Sequence, residues 1–190
     1  MTERTVTPST DRFFVVTGGP GSGKSTLLDA LERLGYNRSF EAGRAIIQDQ
    51  TAIGGTALPW ADRGAFAELM LTWEVRSYHL AAQSSGPFFF DRSVVDLLGY
   101  LELSGLAVPK HIEEAAKIFR YHRRVFIAPP WEEIYTKDVE RKQDFEEAVR
   151  TCHAMHSAYL THGYELIELP RASVETRVDF VLASSGLKPR

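Results

Sequence analysis

One segment constrains this chain more than any other. Gly18-Gly19-Pro20-Gly21-Ser22-Gly23-Lys24-Ser25 satisfies the pattern G-x-x-x-x-G-K-[ST] in full. It follows an apolar run at 12–17 (RFFVVT) and precedes LLDALERLG, whose leucines stand at 27, 28, 31 and 34. The run reads as a strand, the leucine spacing as a helix burying one face, and Gly35 as its stop. A glycine-rich turn between a strand and a helix lets several backbone N–H groups point at one anion, and the helix N-terminus adds its positive end. The motif therefore predicts a nucleoside triphosphate site, with ATP and Mg²⁺ as cofactors. Gly19, Gly21, Ser22, Gly23, Lys24, Ser25 and Thr26 would hold the nucleotide. Lys24 would reach the β- and γ-phosphates, and the Ser25 hydroxyl would ligate Mg²⁺.

The remaining chain repeats the alternation of strand and helix. Short strands are expected at 37–40, 87–90 (PFFF), 124–128 (RVFIA) and 164–169 (YELIEL). Helices are expected at 41–50, 62–83, 94–103, 110–120, through the charged stretch 132–147 to about 161, and at 173–183. The segment 51–60, with Gly54, Gly55 and Pro59, reads as a loop. In the long helix 62–83, Phe66, Leu69, Met70, Trp73 and Leu80 form the expected inward stripe. Five strands alternating with helices predict a parallel sheet covered on both faces, an α/β fold of three layers.

Composition narrows the classes. The chain has 190 residues, 44% of them hydrophobic and 25% charged, which is ordinary for a globular protein. At roughly 150 residues per domain, residues 12–190 read as a single domain behind a loose polar leader at 1–11, with no apolar stretch of the kind a signal peptide carries. The net charge of −3 supplies no general basic field for nucleic acid or anionic lipid. No apolar run approaches the roughly 18–20 residues of a membrane span. One cysteine, Cys152, forms no internal disulfide and fits a reducing, cytoplasmic setting. Its neighbours His153 and His156 lack a distant second ligand pair, so they read as ordinary helix residues rather than a zinc site.

The second metal element of such a site is an acid at the end of a neighbouring apolar strand. Asp91, directly after Phe88-Phe89-Phe90, fits; it would also serve as a helix cap. With GGPGSGKST, Glu41-x-x-Arg44 after the second strand, Asp91-Arg92-Ser93 after the third and ERKQDFEEA further on, the chain resembles the small AAA-labelled domain family. That family is grouped with the ribosylnicotinamide kinase half of the bifunctional bacterial NAD regulator. The resemblance covers about residues 12–184 and includes the terminal SVETRVDFVL. It implies the P-loop NTPase fold of small-molecule kinases, with strand order 2-3-1-4-5, a kinase-like lid at about 131–147, and Pro170 and Ala172 beside the adenine. The chain lacks the Asp-Glu pair that motor ATPases carry on the corresponding strand and has no room for their helical second domain. A ring-forming remodelling machine is not expected.

Phosphoryl transfer to a small molecule needs a carboxylate near the acceptor hydroxyl, cations on the migrating charge and a cover that excludes water. Glu41 and Arg44, three residues apart on one helix face, would orient the acceptor and bind its polar groups. Arg92 would contact substrate or transferred phosphate. Arg141, with Lys137 four residues before it, would close over the γ-phosphate. The catalytic set is thus Lys24, Glu41, Asp91 and Arg141; the acceptor set is Glu41, Arg44 and Arg92; the metal set is Ser25 and Asp91. The leading expectation is an ATP- and Mg²⁺-dependent kinase of a small hydroxylated metabolite, a nucleoside being one candidate. A regulatory ATP-binding module controlling a partner and a kinase of nucleic-acid 5′-ends are the alternatives, and the acidic net charge argues against the last. Oligomeric state is not legible.

Overall fold

The three inner strands of the sheet are apolar on both sides, and each side is covered. The computed structural model describes residues 10–135 and 144–188. After a 3₁₀ turn at Thr10–Arg12 come β1 (Phe13–Gly18), α1 (Lys24–Arg33), β2 (Asn37–Arg38), α2 (Ala42–Ile53) and α3 (Arg63–Gln83). They are followed by β3 (Phe88–Asp91), α4 (Val94–Leu103), α5 (Lys110–Ile118) and β4 (Arg124–Ala128). A 3₁₀ turn at Glu132–Ile134, α6 (Phe145–Thr161), β5 (Glu165–Glu168) and α7 (Val174–Ser184) complete the chain. The sheet is wholly parallel in the order β2-β3-β1-β4-β5, as expected.

Alternation along β1 divides the core in two. Phe13 and Val15 pack with Phe88 and Phe90 under α2 to α6, while Phe14 and Val16 pack with Phe89 and Phe126 under α1 and α7. Register then sets the functional edge. Val16 pairs with both Asp91 and Phe126, and Gly18 pairs with Ala128, so β1, β3 and β4 end together. No helix among the described residues is long and apolar enough to cross a membrane.

Four expectations change. Asp91 is the last residue of β3 rather than the first after it, and its N–H donates to the Ser39 hydroxyl at 2.9 Å. Residues 51–53, expected in a loop, extend α2 until Gly54 ends it at φ 69°. The inward stripe of α3 is Phe66, Met70, Glu74 and Tyr78, at a strict spacing of four, whereas Leu69 and Leu80 are exposed. The stretch 132–147 is not one continuous helix with 145–161: a 3₁₀ turn occupies its start, and α6 begins only at Phe145, capped by Asp144, whose side chain accepts the Glu147 N–H at 2.8 Å. Lys137 and Arg141 lie outside the described residues.

Phe90 shows where stability is concentrated. It is fully buried, with Tyr121, Phe13 and Phe88 rings at 5.0, 5.6 and 4.7 Å between centroids. Phe90→Ala is expected to lower unfolding free energy by about 3–5 kcal/mol in a denaturant titration. Ile53→Ala, at a residue 74% exposed, should change it by less than about 0.5 kcal/mol.

Candidate active site

The cradle is built by backbone that only glycine allows. Gly18, at φ 130°, ends β1 so close to β4 that a Cβ would strike the Ala128 carbonyl. Gly23, at φ 74°, turns the chain into α1, and a Cβ there would strike the Arg177 guanidinium. That guanidinium comes from α7 and holds the outside of the loop, donating to the Ser22 carbonyl at 3.1 Å and the Gly23 carbonyl at 3.3 Å. Inside, Lys24 Nζ donates to the Gly19 carbonyl at 2.8 Å and the Ser22 hydroxyl donates to the same oxygen at 2.8 Å. Burial, reinforced by Arg92, pulls the Lys24 ammonium down to about 8, although Asp91, Glu41 and Asp96 support its charge.

A cavity of about 400 Å³ opens on this loop. Gly21 to Thr26 and Glu41 form one wall; Trp131, Ile134 and the stretch from Ala172 to Val174 with Arg177 form the other. Ala172, which the family resemblance sets beside the adenine, lines this cavity. Pro170 is not among the lining residues.

A second cavity, of about 420 Å³, lies on the other side of Glu41. Arg44, Arg63, Glu74, Arg92, Asp96 and Glu147 supply its charged groups together with Glu41, and Phe66, Met70, Leu97, Tyr100 and Met155 are among its apolar walls. Trp60, although half exposed, lines it too. The structure therefore joins Glu41, Arg44 and Arg92, three positions drawn from two separate loops of sequence. Glu41 opens α2 without capping it through its side chain and faces Arg92 Nε at 3.5 Å. Arg92 has the left-handed backbone (φ 71°) rare for a side chain of its size, a strain characteristic of functional turns. Burial works against its charge, but Glu41, Asp96 and Asp91 outweigh that and hold it above the ordinary arginine value.

Asp91 is 1% exposed, and its Oδ1 has no hydrogen-bond partner among the described residues. Burial and then Glu41 raise its carboxyl to about 6, against the pull of Lys24 and Arg92. A buried carboxylate oxygen without a donor is the donor set a hard cation uses. With the Ser25 hydroxyl on the cavity wall, the residues fit Mg²⁺.

Sequence reasoning misses Asp96, Glu74 and Arg177. Asp96 was readable as the third residue after Ser93 in a capping box, which the structure contains. Glu74 falls at the spacing of the stripe 66-70-74-78, but its charge argues for the outer face. Arg177 carries no local signal; only the packing of α7 on α1 brings it to the loop.

Asp91 has a pH signature. Its folded carboxyl holds a proton up to about 6 against an ordinary 3.8, so its contribution to stability falls as pH rises between about 4 and 6 and stays low above. Asp91→Asn, which resembles the protonated form, should flatten that window and raise the thermal midpoint at pH 7 by roughly 2–4 °C. Calorimetric melts of both proteins from pH 4 to pH 7 check it; a variant that keeps the wild-type slope refutes it.

Comparison with known proteins places this geometry. The model of the family described as AAA domain matches residues 13–177. No curated protein matches the chain by sequence. Among solved structures, a deoxyadenosine kinase from M. mycoides, with dCMP and dCDP bound, is 13% identical at a TM-score of 0.65, with 91% of this chain and 98% of that one covered. NadR in complex with NR is 20% identical at a TM-score of 0.64; 93% of this chain is covered, and it spans only 52% of NadR. A thymidylate kinase from Ehrlichia chaffeensis is 14% identical at a TM-score of 0.59, covering 94% and 100%. All three share the five-stranded parallel fold, and with the family match over most of its length, this chain belongs to the AAA domain family.

Proposed function

We propose that the protein is a phosphotransferase that moves the γ-phosphoryl of ATP to the hydroxyl of a small metabolite. The observation that carries this reading is that Glu41 lines both cavities, so one carboxylate borders the nucleotide site and a separate, largely apolar acceptor site. An ATPase without an acceptor has no use for the second. The similar folds of a deoxyadenosine kinase, a thymidylate kinase and NadR with bound NR support the class.

In this reading Gly19 to Thr26 hold the triphosphate, Lys24 neutralises its outer phosphates, and Ala172 with Pro170 flanks the base. Ser25 and Asp91 would hold Mg²⁺, which when bound spreads positive charge over the phosphate oxygens. Glu41 orients the acceptor hydroxyl and takes up its proton. Arg92 and Arg44 bind the acceptor and the charge arriving on it. Arg141 keeps the role its sequence pattern implies, a cation on the transferring group. A lid at 131–147, a single domain at 12–190 and a cytoplasmic setting belong to the same reading, and the buried thiol of Cys152 is consistent with a reducing compartment.

The test is a metabolite screen for acceptor-dependent ADP release with a product heavier by one phosphoryl group. Nucleotide binding with no turnover on any acceptor would overturn the proposal in favour of a regulatory module. With an acceptor in hand, Lys24→Ala should lower turnover at least roughly a hundredfold while the chain stays folded. Glu41→Gln should lower kcat by about 10²–10⁴ with ATP affinity nearly unchanged; equal loss of ATP binding would make Glu41 structural. Arg141→Ala should lower kcat at least roughly tenfold without moving the melting temperature.

A further inference from the structure

Glu74 stands in the middle of α3, on the stripe formed by Phe66, Met70 and Tyr78, and is 2% exposed. It lines the acceptor cavity. Among the described residues, no hydrogen bond or ion pair reaches its carboxyl. A buried polar group without a partner costs stability that an apolar residue at the same place would not. Nothing in the packing of α3 explains it: the neighbouring stripe positions are apolar or aromatic. The carboxylate one turn of chain beyond Arg92, by contrast, is fully used. Asp96 accepts from Thr17, Arg92, Ser93 and Tyr159.

We propose that the Glu74 carboxyl reads the flat polar edge of the phosphate acceptor, a ring that offers a hydrogen-bond donor and an acceptor side by side, as a nucleobase does. The inference rests on the phosphotransferase reading and names its substrate class. The cavity walls suit a ring, with Trp60, Phe66 and Tyr100 among the apolar and aromatic side chains, the surroundings in which flat ligands are held and a few polar groups fix their orientation. At the other end the acceptor meets Glu41 and Arg92, where a ribose hydroxyl would be presented.

The charge around Glu74 selects the form that reads such an edge. Burial is the first cause that lifts its carboxyl well above the usual range; Asp96, Asp91 and Glu41 add to it, and Arg92 alone opposes them. Tyr121, on the same side, is itself buried and raised, so its phenol stays neutral and adds no charge. A carboxyl that keeps its proton presents O–H and C=O together, the complement of the N–H and ring N, or N–H and C=O, of the four common bases. A sugar or polyol has no such edge.

The experiment titrates the full chain, loaded with Mg²⁺ and a non-hydrolysable ATP analogue, with adenosine, guanosine, cytidine, uridine and their 2′-deoxy forms, and with ribose as control, by calorimetry. The expected result is that at least one nucleoside binds and ribose does not. Glu74→Leu should lower that affinity at least roughly tenfold. Glu74→Gln, which keeps a donor and an acceptor in the same shape, should restore it to within about threefold. Both variants should bind the ATP analogue like wild type and melt at or above its temperature, since each removes an unpartnered buried carboxyl. Unchanged nucleoside binding in Glu74→Leu overturns the proposal. So does a loss in Glu74→Gln as large as in Glu74→Leu, which would mean an ionised carboxylate facing a cationic ligand. If the analogue binds and no nucleoside does, the acceptor class is wrong while the kinase reading stands. If the analogue itself fails to bind, both fall.

Discussion

The buried carboxylate of Asp96 holds the site together. Its Oδ1 accepts from the Thr17 hydroxyl at the end of β1 and from Arg92 Nη1; its Oδ2 accepts from the Ser93 N–H that opens α4 and from the Tyr159 hydroxyl on α6. Four donors from three places in the chain converge on one side chain that is 4% exposed. A buried charge is tolerable only when so fully paired, and a network this complete has one low-energy arrangement. It compels Arg92 into a left-handed turn that its own backbone preference would avoid. In that turn the guanidinium stands between Asp96 and Glu41. The cavity beside Glu41 therefore inherits one of its cations from a structural network anchored beneath the phosphate loop.

Around that hub the charges are left incompletely satisfied. Lys24 is pulled down to about 8 and Asp91 is raised to about 6, in each case with burial as the first cause. Burial disfavours each charge, and the neighbours already in place do not fully restore it. A triphosphate would favour the charged form of Lys24, and a divalent cation the charged form of Asp91. In the proposed reading both ligands would bind to groups whose charge the folded chain alone supports poorly. This is the linkage expected of a site whose electrostatics are completed by its ligands rather than by the protein.

Much of this was legible in the sequence because the relevant signals are local. The glycines of the loop, the apolar runs and the Asp-Arg-Ser turn each report a backbone requirement that few other residues meet, and the strands read as continuous apolar segments because both faces are covered. The inner face of α3 was not legible. Leu69 and Leu80 read as inward by hydrophobicity and are exposed, whereas Glu74 reads as outward by charge and is buried. The rule that apolar residues go inside fails where a cavity, rather than packing, occupies the inner face. Arg177 was missed for another reason: its contacts with Ser22 and Gly23 span about four-fifths of the chain and exist only once α7 has packed on α1. Lys137 and Arg141 lie outside the described residues, and their assignment still rests on sequence pattern.

The strand order explains why two cavities meet at one residue. From β1 the chain leaves through α1 onto the face shared with α7, whereas from β3 it leaves through α4 onto the face shared with α2, α3, α5 and α6. Adjacent parallel strands whose connections depart to opposite faces leave a crevice at their carboxyl ends, where α/β proteins bind ligands. Here the crevice lies between β1 and β3, between Gly18-Lys24 and Asp91-Ser93. The nucleotide cavity takes its walls from α1 and the residues leading into α7; the acceptor cavity takes its walls from α2, α3, α4 and α6. Each cavity thus belongs to one face of the sheet, and a group passing between them must cross the crevice. Glu41 is the residue that can border both, because β2 is only two residues long and α2 starts directly after it at the sheet's edge. A longer β2 would carry the start of α2 past the crevice and leave the two cavities without a shared carboxylate.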